Sequence, residues 1–110
     1  MSTEKIRVLY PAGYTKTDKT ELDEGAVIYS LGGKELLPNA HRRSNGALAA
    51  CYWELPPGKY FLLVQKIRNG VHHCYSAYLI VHPNGIVDEE KTKEIPEFVH
   101  RFPCVCFKKH

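Results

Sequence analysis

A chain of 110 residues with 44% hydrophobic and 25% charged residues has the size and balance of one globular domain, with no room for a second. A net charge of +3 is far from the basic footprint of a dedicated nucleic-acid domain. No stretch approaches the ~20 apolar residues that a membrane-spanning helix needs.

Lys5 to Tyr10 alternates, with Ile6, Val8 and Tyr10 on one face and Pro11 closing the run, which predicts a first strand. Ala12 to Glu24 is polar and reads as a loop unless a short edge strand lies within it. Ala26 to Leu31 is a β-rich run stopped by Gly32-Gly33, and Lys34 to Leu37 is a short continuation ended by Pro38. Asn39 to Gly46 reads as turn and loop. Ala47 to Leu55 is a strand, ended by Pro56-Pro57-Gly58, which no helix would cross.

Lys59 to Arg68 is the strongest strand signal, followed by Asn69-Gly70 and then Val71 to His82. A two-residue type I′ turn needs positive φ at both positions, which Asn and Gly tolerate. That turn sets Arg68 opposite Val71, and hence Tyr60 opposite Leu79, Leu62 opposite Ala77 and Val64 opposite Tyr75. This side of the hairpin is apolar and belongs in the core. The other side pairs Phe61 with Tyr78, Leu63 with Ser76, Gln65 with Cys74 and Ile67 with His72. Being mixed, it is either covered by another element or offered to a partner.

Beyond Pro83-Asn84-Gly85, Asp88 to Glu94 predicts a polar helical turn with Asp88 as N-cap. Ile95, Phe98, Val99 and Phe102 have helical spacing, so a short helix is expected from Pro96 to before Pro103, placed to lid the mixed face. Cys104 to Phe107 is a candidate last strand. No α-crossover separates the strands, so a parallel sheet is improbable.

The segment from Gly25 to Leu63, and above all Leu55-Pro56-Pro57-Gly58-Lys59-Tyr60-Phe61-Leu62, resembles the prealbumin-like sandwiches, including the carboxypeptidase regulatory-like and collagen-adhesin B-type repeats. The resemblance covers about forty residues, and its motif is a turn-and-strand signature. It implies a seven-stranded Greek-key sandwich of the kind that binds or spaces rather than catalyses. The C-terminal extension departs from that family, and no functional residue is carried over.

The four cysteines (Cys51, Cys74, Cys104, Cys106) follow no signal-peptide-like segment and are expected to be reduced and packed as small hydrophobes. His72 and Cys74 share a face, as do Cys104 and Cys106, and two such pairs could supply a tetrahedral set for zinc, although nothing in the sequence brings the pairs together. Structural zinc sites favour Cys-x₂₋₄-Cys knuckles, so packing is the preferred reading and no cofactor is expected. A nucleophile built on Cys51 or Cys74 with a His has no local signature. No phosphate loop, G-x-S-x-G or H-E-x-x-H occurs. Basic residues gather at His41-Arg42-Arg43, at Lys66, Arg68, His72 and His73, and at Lys108-Lys109-His110, but form no continuous stripe. Trp53 is expected inward with Cys51 and Ala49, leaving Tyr52 and Glu54 outward.

The sequence therefore predicts one all-β domain over 1–110: an antiparallel sandwich, immunoglobulin-like or prealbumin-like, of six or seven strands with a helical extension at 88–102. The expected role is a cytoplasmic, non-enzymatic module that binds a protein, or in a variant a carbohydrate. Nucleic-acid binding is the alternative, and no membrane role is expected. The contact residues expected are Tyr52, Gln65, Ile67, His72, Arg42 and Arg43.

Overall fold

The apolar run from Tyr60 to Val64 occupies the middle of the larger of two sheets, buried on both sides. The computed structural model describes residues 5–11, 13–14, 22–44, 47–68 and 71–100, and the chain is all-β there, with no helix. In chain order the strands among these residues are β1 (Ile6–Pro11), β2 (Gly13–Tyr14), β3 (Leu22–Ser30), β4 (Glu35–Leu36), β5 (Ala40–Ser44), β6 (Ala47–Leu55), β7 (Gly58–Arg68), β8 (Val71–Val81) and β9 (Val87–Thr92). The smaller sheet has the order β1-β6-β5, and the larger has β2-β3-β7-β8-β9 with β4 paired to β3. Every pairing is antiparallel.

The β7–β8 register is the one that the Asn69-Gly70 signal predicts: Arg68 pairs with Val71 and Tyr60 with Leu79. Asn69 and Gly70 themselves lie outside the described residues. Pleat alternation then sends Tyr60, Leu62 and Val64 to one face, where they meet Val8, Tyr10, Trp53 and Leu55 of the smaller sheet. This is the sandwich core. Phe61 and Leu63 go to the opposite face and join Val27, Tyr29 and Val99 in a second cluster. A strand covered on both faces needs apolar residues in succession, which is why β7 reads FLLV rather than alternating.

The cover on that second face is the C-terminal segment 93–100. Ile95 and Phe98 pack on the cluster and Val99 is buried in it, so the Phe61, Leu63 and Tyr78 part of the hairpin's mixed face is occupied by the chain's own tail. The Phe98 ring lies 5.8 Å from Tyr29 and 6.3 Å from Phe61. Gly33 makes this approach feasible: it holds φ +98, and a Cβ there would stand 3.0 Å from that of Phe98.

Three expectations are corrected. Residues 88–94 are not a helical turn, because Val87–Thr92 pairs with β8 from Val81–Val87 to Ser76–Thr92. The local cap and dipole signals are worth only fractions of a kcal/mol to about one each, and the unpaired backbone edge of β8 outweighs them. Its charged sequence is that of an edge strand. Residues 96–100 likewise form a turn, closed by the Val99 amide donating to the Pro96 carbonyl at 3.2 Å, rather than a helix. Residues 101–103 of the expected extension, with Phe102, lie outside the described residues, as does 104–107. Finally, Asn39 to Gly46 is not all loop: Ala40–Ser44 pairs with β6, with an irregularity between Arg42 and Arg43. A polar composition is what an edge position tolerates.

Candidate functional site

Pro56 and Pro57 end β6 in the smaller sheet and deliver the chain to β7 in the larger one. Tyr60 fixes this crossing, its hydroxyl donating to the Pro56 carbonyl at 2.6 Å. Beside it the β3–β4 turn is closed by the Ser30 amide donating to the Lys34 carbonyl at 2.8 Å. Between the crossing and this turn, the end of the sandwich opens into a groove of about 570 Å³.

The floor of the groove is Leu36, Trp53, Leu55, Pro56 and Tyr60. The indole N–H of Trp53 donates to the Leu36 carbonyl at 2.8 Å, and the ring is only 2% exposed. Both polar groups of the aromatic floor are thus spent on the fold, and what faces the groove is apolar. Leu37, 71% exposed, stands at the rim with no apolar cover of its own.

The rim is polar. Glu54 lies 3.5 Å from the Arg7 guanidinium and Glu35 lies 3.4 Å from the His100 ring. The Asn39 side-chain carbonyl accepts the Glu54 amide at 2.8 Å, which leaves its amide N–H groups available. Lys5 and Lys34 also line the groove, and neither has a carboxylate partner among the described residues.

Further along β1, the Tyr10 hydroxyl crosses to β9 and donates to Glu89 at 2.6 Å, with the Tyr75 hydroxyl reaching the same oxygen at 3.2 Å. Burial, then the hydrogen bond and negative charge of Glu89, push the Tyr10 phenol well above its ordinary range. Burial and the Glu89 charge do the same to Tyr75. Neutral phenols sharing a carboxylate tie β1 to β9, a structural clasp. A second cleft of about 520 Å³, where Thr92 to Ile95 leaves the side of β8, is lined by Cys74, Tyr75 and Lys91 among others.

Neither Tyr52 nor Gln65, the two expected contact residues whose side chains are described, lines either cleft. Tyr52 faces outward as anticipated, but on the outer face of the smaller sheet, half-buried beneath Arg7 at 4.3 Å and paired with the exposed Leu9. Gln65 is corrected: it is 1% exposed and so cannot touch a partner, and its backbone is paired on both sides, with Gly25 of β3 and Cys74 of β8. The side chains of Arg42, Arg43, Ile67 and His72 lie outside the described residues. Their backbones place the arginines in β5 of the smaller sheet and pair Ile67 with His72 in the larger.

The expected reduced state of the cysteines is corrected for Cys74, which is in a disulfide; its partner lies outside the residues whose side chains are described. Spacing along a chain does not reveal which sulfurs the fold brings together. A disulfide sulfur is not a thiolate ligand, so the metal set of His72, Cys74, Cys104 and Cys106 loses one member. His72, Cys104 and Cys106 lie outside the described side chains, and among those described no group of three potential ligands forms.

The groove residues Lys5, Lys34, Leu37 and Asn39 were not singled out by the sequence. The signal available was the pair of proline stops, Leu37-Pro38 and Leu55-Pro56-Pro57, which close strands at the same end of the sandwich. Comparison with family models, curated proteins and solved structures finds no match to this chain.

Proposed function

We propose that this protein is a non-enzymatic binding module that receives a segment of a partner protein in the groove between the β3–β4 turn and the Pro56-Pro57 crossing. The observation that carries this reading is a concave apolar floor, its own hydrogen-bonding groups satisfied, beside the exposed rim residue Leu37. Concave, mostly apolar sites with a few polar groups at the rim are the common form of a binding pocket.

A carbohydrate platform or a single-strand nucleic-acid site needs aromatic faces open to a sugar or a base. Trp53 and Tyr60 are buried, which favours the protein reading over both alternatives. We also carry forward the prealbumin-like resemblance as a proposal, supported by two face-packed antiparallel sheets and by the Pro56-Pro57 motif lying at the crossing between them.

The cytoplasmic setting is likewise a proposal. No helix among the described residues is long and apolar enough to cross a membrane. Disulfides are rare in the cytosol, and the one at Cys74 weighs on the other side.

The test is capture of partners from native extract by the wild type and by Leu37→Arg, with and without nuclease. Capture that is lost in Leu37→Arg and unchanged by nuclease is expected. Capture abolished by nuclease alone would overturn the protein reading in favour of nucleic acid. Alkylating the extract before reduction reports whether the Cys74 disulfide exists in the cell, and a free Cys74 thiol is what the cytoplasmic proposal expects.

A further inference from the structure

We infer that the segment bound in this groove is acidic: an extended peptide carrying at least one carboxylate beside an apolar side chain. The inference rests on the binding reading above and adds the chemistry of the partner.

It follows from an inventory of what the groove has left to offer. The Trp53 N–H and the Tyr60 O–H are both spent on backbone carbonyls, at 2.8 and 2.6 Å, and those carbonyls, of Leu36 and Pro56, each accept one of them. The two lining carboxylates are engaged: Glu54 with Arg7 and Glu35 with His100. The Asn39 carbonyl oxygen holds the Glu54 amide, and the Ser30 hydroxyl oxygen accepts the Lys34 amide at 3.2 Å.

Glu35 and Glu54 keep further acceptor sites, but the groove groups left without a partner among the described residues are donors. Lys5 and Lys34 each present an ammonium group without a carboxylate partner among the described residues. Asn39 retains its amide N–H groups, and Ser30 retains its hydroxyl proton. An ammonium is donor-only, and a carboxylate is acceptor-only. A donor-rich rim around an apolar floor complements a ligand with acceptor oxygens next to hydrocarbon, and an acidic residue flanked by an apolar one has that form. A neutral peptide would leave both ammonium groups unsatisfied as it displaced their water, and a basic one would meet them with like charge. Nucleic acid also brings anionic oxygens, but its bases would find no open aromatic face here.

The probe is an unbiased phage-displayed library of random decapeptides, selected on the full chain and counter-screened on Leu37→Arg. Selected peptides are then synthesised and titrated while following the fluorescence of Trp53, the single tryptophan of the chain. The expected pool is enriched in Asp or Glu next to an apolar residue. Its affinity should fall roughly tenfold for Lys34→Glu or Lys5→Glu, and also as salt rises to ~0.3 M. Both lysines are exposed, so these variants leave the core intact. Circular dichroism of each variant checks that.

A groove-dependent pool that is neutral or basic, or that binds the lysine variants equally well, overturns the acidic inference while leaving the binding reading standing. A library that yields no peptide sensitive to Leu37→Arg overturns both.

Discussion

Tyr10 shows how a single side chain can tie two sheets together and also make stability depend on pH. Its hydroxyl leaves β1 and ends on Glu89 of β9, where Tyr75 also points. Burial is the main reason its phenol is held above the ordinary 10.0, with Glu89 adding to it. Tyr75 and, through burial alone, Tyr60 are shifted the same way. The direction sets the pH window. Below about pH 10 these tyrosines keep their protons whether the chain is folded or not, so they contribute no pH dependence. Above it the unfolded chain ionises while the folded one resists, so stability falls as pH rises. Chemical denaturation at pH 8 and pH 11 should therefore show a clear loss. Tyr10→Phe should lower stability at pH 8 by about 1–2 kcal/mol, through the lost charge-assisted hydrogen bond, and should flatten the alkaline decline. A decline of the same steepness in Tyr10→Phe would show that this phenol does not contribute.

Among the elements, the β3–β4 turn has the most depending on it. It forms one wall of the groove, and Gly33 within it touches the tail that covers the larger sheet. At φ +98 an alanine is strained, and its Cβ would press on Phe98 at 3.0 Å. Gly33→Ala should cost about 1–3 kcal/mol, and the effect should reach segment 95–100, read as faster amide exchange there. Exchange unchanged in that segment would mean that the turn and the tail are not coupled. The β9 element shows why the sequence misled over 88–94. Asp88, Glu89 and Glu90 are good helix-start residues, and equally good edge-strand residues. Which of these applies depends on whether a strand edge lies alongside, and β8 provides one. The stripe Ile95, Phe98 and Val99 was legible as a buried face, since apolar residues seek cover in any backbone geometry. Its helical form was not, because a single Pro96–Val99 turn satisfies the same burial.

At the scale of the molecule the larger sheet separates two apolar layers. Leu62 lies in the layer between the sheets and Phe98 in the layer beneath the tail. Leu62→Ala should lower global stability by about 2–5 kcal/mol, seen as a lower denaturation midpoint. Phe98→Ala should act chiefly on local opening of the tail, with a smaller shift in that midpoint. Equal shifts would show that the two layers unfold as one. The same layering explains the fate of the expected contact surface. Gln65 lay on the face correctly recognised as mixed, but it is 1% exposed in the middle of the larger sheet, paired with β3 and β8.

By itself the sequence determined the all-β class, the β7–β8 register, the inward direction of Trp53 and the strand stop at Pro56-Pro57. Each of these follows from short-range rules: side chains alternate with period two, Asn-Gly accommodates a tight turn, and proline ends a strand. Only the tertiary structure decided the rest: the β9 pairing, the non-helical form of the tail, the Cys74 disulfide, and the groove whose lysines have no carboxylate partner among the described residues. Those depend on which distant segments meet, and a residue's own neighbours along the chain do not carry that information. Lys34 and Asn39 look like ordinary loop residues until Trp53 and Pro56 are set beside them.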